Sequence, residues 1–275
     1  MQFDGLRVLS LESRRSAEIE KLIRARGGQP FVAPSMREVP LENNTEAFLF
    51  ATRLFAGEFD MVILLTGVGA RLLKQILETR YPPDAFVDSL RKLAVVVRGS
   101  KPAAVMREWN VPVAVSVPEP NTWREILTAT EARPERNIAV QEFGRTSMEL
   151  LQGLRNRGAQ VTTVPVYQWD LPEDTAPLRE AVQRLAASQF DVVLFTTSVQ
   201  AVHLLRIAAE EGAEDQIRTA LQRMVVASVG PSTSETLREH DLPVDFEPSH
   251  PKMGFLVNET SQHAYEILQS KQWAS

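Results

Sequence analysis

Two stretches of the chain carry an unbroken apolar run between an aspartate and a hydroxyl: FDVVLFTTS at 190–198 and FDMVILLTG at 59–67. Runs of Val, Ile, Leu and Phe without polar alternation predict strands covered on both faces, as in a parallel sheet. The hydroxyls that close them fall at the strands' carboxyl ends, where an open α/β sheet binds ligands. An amphipathic run at 199–209 predicts a helix after the second strand. The two phrases are offset by 190 − 59 = 131 residues, and that offset recurs along the chain.

From the start, LRVLSL at 6–11 reads as a strand. Ser13 is the expected cap of a helix to about Arg26, with Ile19, Leu22 and Ile23 on its buried face and Gly27 as a left-handed stop. A second strand is expected at 30–33. Adding 131 gives a strand at 138–141, a helix at about 146–157 and a stop at Gly158. Arg14 lands on Arg145, Gly27 on Gly158, Pro34 on Pro165, Thr66 on Thr197 and Ala70 on Ala201. The stretch at 92–115 lands on 223–246, with Gly99 on Gly230, Arg107 on Arg238 and Pro112 on Pro243. The pattern reads as an ungapped duplication of an α/β half with alternating strands and helices. Two copies are too few for a solenoid, so two similar lobes with parallel sheets flanked by helices are expected.

The chain is expected to cross between lobes at 35–40 and at 166–172, where proline and polar residues follow the first strand–helix–strand unit of each half. One lobe is then 1–34 with 173–275, and the other 41–165. A cleft between duplicated lobes is a natural ligand site. A last helix is expected at about 254–269.

Composition narrows the chemistry. With 275 residues, 44% hydrophobic and 24% charged, the chain is a globular protein of two middling domains. It has no cysteine, which removes disulfides, thiolate metal sites and cysteine nucleophiles. The opening MQFDGLRVLSLES is neither a signal peptide nor a membrane span, so a cytoplasmic protein without membrane partners is expected. A net charge of −5 argues against a nucleic-acid surface but leaves room for a locally basic anion site. The four histidines, His203, His240, His250 and His263, show no ligand spacing, and no metal is expected. No P-loop, GxGxxG or GxSxG motif is present.

The strand-to-helix turns carry the remaining signal. They lie at 12–16, 66–69, 98–101, 143–147 and 230–233. Free backbone N–H groups and the positive helix end suit carboxylates or phosphates there. At any single turn, hydroxyls and glycines are more simply explained as caps and tight bends. Recurrence in both halves, with Arg14, Arg15, Arg98, Lys101 and Arg145 nearby, favours anion binding. Tyr167 sits at a crossing, where its phenol could face a ligand or its ring could wedge the hinge.

With the duplicated half, the turn GPSTSETLREHDLPV and the crossing PVYQW in view, the chain resembles the uroporphyrinogen-III synthase family over nearly its full length. The resemblance implies two α/β lobes joined by a two-stranded linker, a site in the cleft and no cofactor. It also implies a hydro-lyase that closes hydroxymethylbilane to uroporphyrinogen III, inverting the terminal ring and losing water. The family's hydroxyl turn fits Thr196, Thr197 and Ser198 after the FDVVLFT strand, and its glycine turn fits Gly230 and Ser232 with its threonine at Thr233, within GPST. Thr66 fits the matching turn of the first half, and the family's tyrosine fits Tyr167, a candidate proton donor. The first half departs from the usual pattern, with LESRR, TGVGAR and RGSKPA at its turns. A monomer is expected. The alternative reading is a non-catalytic sensor of a tetrapyrrole or small anion on the same fold; a transport-type binding protein is disfavoured by the opening segment.

Overall fold

Every residue of Met61–Leu64 and of Val192–Phe195 is buried, as a strand sandwiched between helix layers requires. The computed structural model describes residues 2–41, 44–142, 144 and 146–273. Along the chain these form β1 (Arg7–Ser10), α1 (Ser16–Ala25), β2 (Gln29–Val32), β3 (Arg37–Pro40), α2 (Thr45–Phe55) and β4 (Met61–Leu64). There follow α3 (Gly67–Glu78), α4 (Ala85–Leu90), β5 (Ala94–Val97), α5 (Ser100–Glu108), β6 (Val115–Ser116) and α6 (Trp123–Ala129). Next come β7 (Asn137–Gln141), α7 (Met148–Asn156), β8 (Gln160–Val164), β9 (Tyr167–Asp170), α8 (Ala176–Ala186) and β10 (Val192–Phe195). The chain ends with α9 (Ser198–Glu210), α10 (Glu214–Arg223), β11 (Val225–Ser228), α11 (Pro231–Glu239) and α12 (Met253–Trp273).

The chain divides into two compact units, Met1–Arg37 with Asp170–Ser275, and Glu38–Trp169. The first holds a four-stranded sheet in the order β11-β10-β1-β2, the second a five-stranded sheet in the order β6-β5-β4-β7-β8. All the pairings that build these two sheets are parallel. The protein is thus an α/β molecule of parallel sheets flanked by helices. β3 and β9 pair as a separate two-stranded sheet, and the unit boundaries fall within it.

Each sheet buries apolar side chains on both faces. In the first unit Leu9, Val193, Phe195 and Val226 pack under α8, α9 and α10, while Val8, Val192, Leu194 and Val225 pack under α1 and α12. In the second, Val62, Leu64, Val95, Val97 and Ala139 face α2–α5, and Ile63, Val96, Ile138 and Val140 face α6 and α7. Each Val, Leu, Ile or Phe side chain among these, fully buried, contributes about 1.5–3 kcal/mol.

The strand pairings correct the ungapped duplication. β4 and β5 map onto β10 and β11 at 131, since Met61 pairs with Ala94 and Val192 with Val225. β1 and β7 do not. Val8 lies between Val192 and Pro30, whereas the residue between Met61 and Val161 is Ile138, so the offset is 138 − 8 = 130. One extra residue in the turn before α7 restores 131 by the helix stops, Gly27 and Gly158, both at positive φ. A one-residue slip turns a strand over, so it changes which side chains at the strand end are equivalent.

Ser13 is also corrected. Its hydroxyl does not cap α1, whose N-cap is Arg15; it accepts instead from the backbone N–H groups of Ser35 and Met36, both at 3.1 Å. The last helix extends to Met253–Trp273, beyond the expected ends, because Lys271 near its C-terminus is anchored. Its Nζ donates to the carbonyls of Leu221 and Met224 and to Asp245.

Candidate functional site

Parallel strands place successive turns at one edge of a sheet, and in each unit the carboxyl edge carries the hydroxyl-bearing turns. In the second unit Thr66 ends the β4 segment in extended conformation and caps α3, its Oγ1 accepting from Gly69 N–H at 3.0 Å. The Thr66 N–H is held by Gln141 Oε1 at 3.2 Å, from the end of β7. The Thr66 and Tyr167 hydroxyls lie 3.3 Å apart. Tyr167 is 3% exposed, with its ring in the apolar core and edge-on to Trp169 at 5.4 Å. The tyrosine is therefore a packed wedge whose oxygen reaches the strand ends. Gly99, at φ +84°, opens the next turn in a conformation that favours glycine. Beside it Arg98 donates through Nε to the Leu65 carbonyl at 3.1 Å, and Lys101 is exposed in the first turn of α5.

In the first unit the edge is organised by Glu12, a buried carboxylate. Its Oε1 accepts from the backbone N–H groups of Arg14 and Arg15 at 3.0 and 3.1 Å, and its Oε2 accepts from the Thr196 hydroxyl. The N-terminal donors of that turn thus hold the chain's own carboxylate. The side chains of Arg14 and Arg15 are exposed, and Arg15 pairs with Glu18. Gln200 braces Thr196, accepting from its N–H at 2.7 Å and donating to its Oγ1 at 2.8 Å. Thr197 is the extended N-cap of α9, with no capping bond from its hydroxyl, and Ser198 is the buried first residue of that helix. Gly230 is the extended N-cap of α11, where a Cβ would stand 3.0 Å from Pro251. Ser232 and the buried Thr233 lie in the first turn, with Thr233 N–H donating to the Gly230 carbonyl.

The expected residues therefore fall into two sets. Thr66, Arg98, Lys101 and Tyr167 belong to the second unit; Arg14, Arg15, Thr196, Thr197, Ser198, Gly230, Ser232 and Thr233 belong to the first. Arg145 lies outside the described residues. Sequence reasoning missed the buried braces Gln141 and Gln200 and the carboxyls of Glu12 and Glu142. A polar residue directly after an apolar strand run was the available signal for Gln141 and Glu142.

Burial pushes the carboxyl of Glu142 above the usual carboxylate range; a hydrogen bond from Thr146 opposes this and the charge of Glu46 adds to it. His203, in the body of α9, is also buried, with Nδ1 2.7 Å from the Ser35 carbonyl. Its pKa is lowered, chiefly by burial. Among the described residues no group of His, Asp or Glu is arranged to hold a metal ion, and no helix is long and apolar enough to cross a membrane.

Comparison with known proteins gives a consistent result. The profile of a family described as Uroporphyrinogen-III synthase HemD matches residues 17–258. A Methanothermobacter thermautotrophicus protein named "Putative uroporphyrinogen-III synthase" is 31% identical over 231 residues, covering 83% of this chain and 87% of its own. The uncharacterized protein YjjA of Bacillus subtilis is 28% identical over 267 residues, 95% of this chain and 97% of its own. Among solved structures, a mutant uroporphyrinogen III synthase from the extremely thermophilic bacterium Thermus thermophilus superposes with a TM-score of 0.70. That match covers 97% of this chain and 100% of the other at 23% identity, a likeness of fold.

Proposed function

The chain belongs to the uroporphyrinogen-III synthase family, and we propose that it closes hydroxymethylbilane to uroporphyrinogen III, inverting ring D and releasing water. The observation that carries this reading is the matching equipment of the two sheets. Within a chain of this family, both carboxyl edges present hydroxyls and helix N-termini suited to a ligand rich in carboxylates. Exposed apolar residues stand near the same helix starts, with Val68 in the first turn of α3, Val202 in the second turn of α9 and Met148 opening α7. They suit the faces of pyrrole rings.

The chemistry asks for placement more than for a strong catalyst, because the substrate loses its hydroxyl readily and closes unaided without inversion. Holding the inverting attack as the nearest one is the task, and orientation of that kind can supply several kcal/mol. Arg98 and Lys101 in one unit and Arg14 and Arg15 in the other are the basic residues offered for the carboxylates. The Tyr167 phenol is the hydrogen-bond donor offered to the leaving oxygen. No step calls for a cofactor. The reading includes a cytoplasmic monomer and a hydro-lyase reaction.

The test supplies freshly generated hydroxymethylbilane and separates the type I and type III products over time. Excess type III over a protein-free control is the expected outcome. Tight tetrapyrrole binding with only type I product would favour the sensor reading and overturn this one.

A further inference from the structure

The register of the two sheets makes Glu12 and Glu142 equivalents, since 12 + 130 = 142, and both are buried carboxyls just past the first strand of their half. Glu12 is satisfied by two backbone N–H groups and the Thr196 hydroxyl. Its twin is not. Residue 196 maps onto 196 − 131 = 65, and Leu65 stands there without a donor. Among the described residues Glu142 Oε1 is buried with no hydrogen-bond partner, and the residue is 7% exposed. The carboxyl is hydrogen-bonded by the Thr146 side chain, in the turn before α7, and feels the charge of Glu46, in the first turn of α2.

A buried carboxylate with an empty acceptor position is costly, and the lasting remedy is to keep the proton. The raised pKa agrees with that. A protonated carboxyl then needs an acceptor for its O–H, and none of the described groups supplies one to Oε1. The position is not remote from the candidate site. Glu142 follows Gln141, whose amide holds Thr66, and the Thr66 hydroxyl meets that of Tyr167. The Glu142 N–H pairs with the Val164 carbonyl, three residues before Tyr167.

We propose that Glu142 is the proton-carrying carboxyl of the reaction: it gives its proton to the hydroxyl that leaves the substrate and takes one back from the pyrrole ring after closure. The proposal rests on the cyclase reading above. In the first step the carboxyl O–H and the substrate C–O bonds break, water departs, and a pyrrole-stabilised cation remains beside a carboxylate. In the second, the already substituted carbon of ring D attacks the cation, its C–C bond to the preceding bridge breaks, and that bridge rejoins at the ring's free carbon, whose C–H proton passes to the carboxylate. One proton goes out and one returns, so the carboxyl is regenerated and no other reagent is consumed. A phenol in water yields its proton only near pH 10, whereas a carboxyl is the stronger acid, and burial raises this one above the usual carboxylate range. Tyr167 then serves as a hydrogen-bond donor and Glu142 as the acid.

The test compares wild type with Glu142→Gln, Glu142→Asp and Leu65→Thr, following type III formation against pH with thermal melts of each. Wild type should slow as pH rises through the ionisation of Glu142. Glu142→Gln should lose about 100-fold in kcat, at the low end of general-acid effects, with little change in KM and no alkaline fall. Glu142→Asp should keep the alkaline fall at a reduced rate. Leu65→Thr copies the Thr196 donor, so it should move that fall to lower pH. A folded Glu142→Gln enzyme with wild-type kcat and pH profile would overturn the proposal and leave the cyclase reading intact. If Glu142→Gln does not fold, an alkaline fall unmoved in Leu65→Thr would overturn it. Absence of type III product from wild type would overturn both together.

Discussion

Gly69 is the position where one methyl group should disturb the site most. It lies in the first turn of α3, and an added Cβ would overlap the Gln141 amide, standing 2.5 Å from its Cδ and 2.8 Å from its Oε1. Gln141 is 1% exposed, so its side chain cannot swing into solvent. Gly69→Ala gains about 0.8–1 kcal/mol of helix propensity. Against that, overpacking costs about 1–3 kcal/mol, and displacing Gln141 leaves the Thr66 N–H unpaired at about 1–3 kcal/mol more. The net expectation is a loss of about 2–4 kcal/mol, or roughly 10 °C in the melting of a domain of this size. Type III formation should fall as well, because Thr66 is the contact of the Tyr167 hydroxyl. A double-mutant cycle isolates the clash. Gln141→Ala alone loses the Thr66 bond, but in its background Gly69→Ala meets empty space and keeps only the helix gain. The double variant should then be no less stable than Gln141→Ala, a strong departure from additivity. Losses that simply add, or a Gly69→Ala protein as stable as wild type, would refute the overlap.

Three further outcomes are expected. Burial holds His203 below its ordinary pKa in the folded protein, so the unfolded chain binds the extra proton. Stability should therefore fall as pH drops below about 6.5, and His203→Gln should flatten melting temperature against pH in that window. Lys271→Met strips the donor from Asp245 and from the Leu221 and Met224 carbonyls in a partly buried site. It should cost about 2–4 kcal/mol by denaturant titration, below the figure for a fully buried pair. Tyr167→Phe keeps the buried ring and deletes the oxygen beside Thr66. A preorganised donor can be worth roughly 100-fold or more, but water can replace a phenol here, so type III formation should slow about 10-fold with melting little changed.

The architecture was legible because its signals are local. Runs such as MVIL and VVLF bury both faces, glycines at positive φ stop α1 and α7, and the repeated phrases announce the duplication. The slip in β1 was hidden for the same reason. Strands buried on both faces carry no polar alternation, so a shift of one residue leaves no mark in hydropathy. Matches such as Gly27 on Gly158 belong to the helix stops, where 131 does hold. Ser13 was misread because its partners, Ser35 and Met36, lie more than twenty residues away, while capping is judged from the next four. At the site, the turns were found and their supports were not. A hydroxyl before a helix is a recognisable pattern, whereas the Gln141–Thr66 bond spans 75 residues and leaves no trace at either end.

Those supports explain how two copies of one half can diverge without losing the turn. In the second unit the amide that holds the threonine N–H comes from the strand, at Gln141, and the helix makes room with Gly69. In the first unit the equivalent strand residue is Leu11, since 141 − 130 = 11, and it packs into the core. The equivalent of Gly69 is Gln200, since 69 + 131 = 200, and its amide reaches back to Thr196. Each unit gives a buried partner to a backbone N–H at this strand end, from opposite sides and one residue apart, since Thr66 matches Thr197 while Gln200 holds Thr196. Either member of the pair changed alone would leave a clash or an unpaired donor, so the two positions must change together. The carboxyl beside them follows the opposite course. Glu12 keeps its threonine donor, while Leu65 stands at the position matching Thr196 and, among the described residues, Glu142 Oε1 has no hydrogen-bond partner. A backbone N–H at the strand end has thus found a buried partner in each half, while the two matching carboxyls are partnered differently among the described residues.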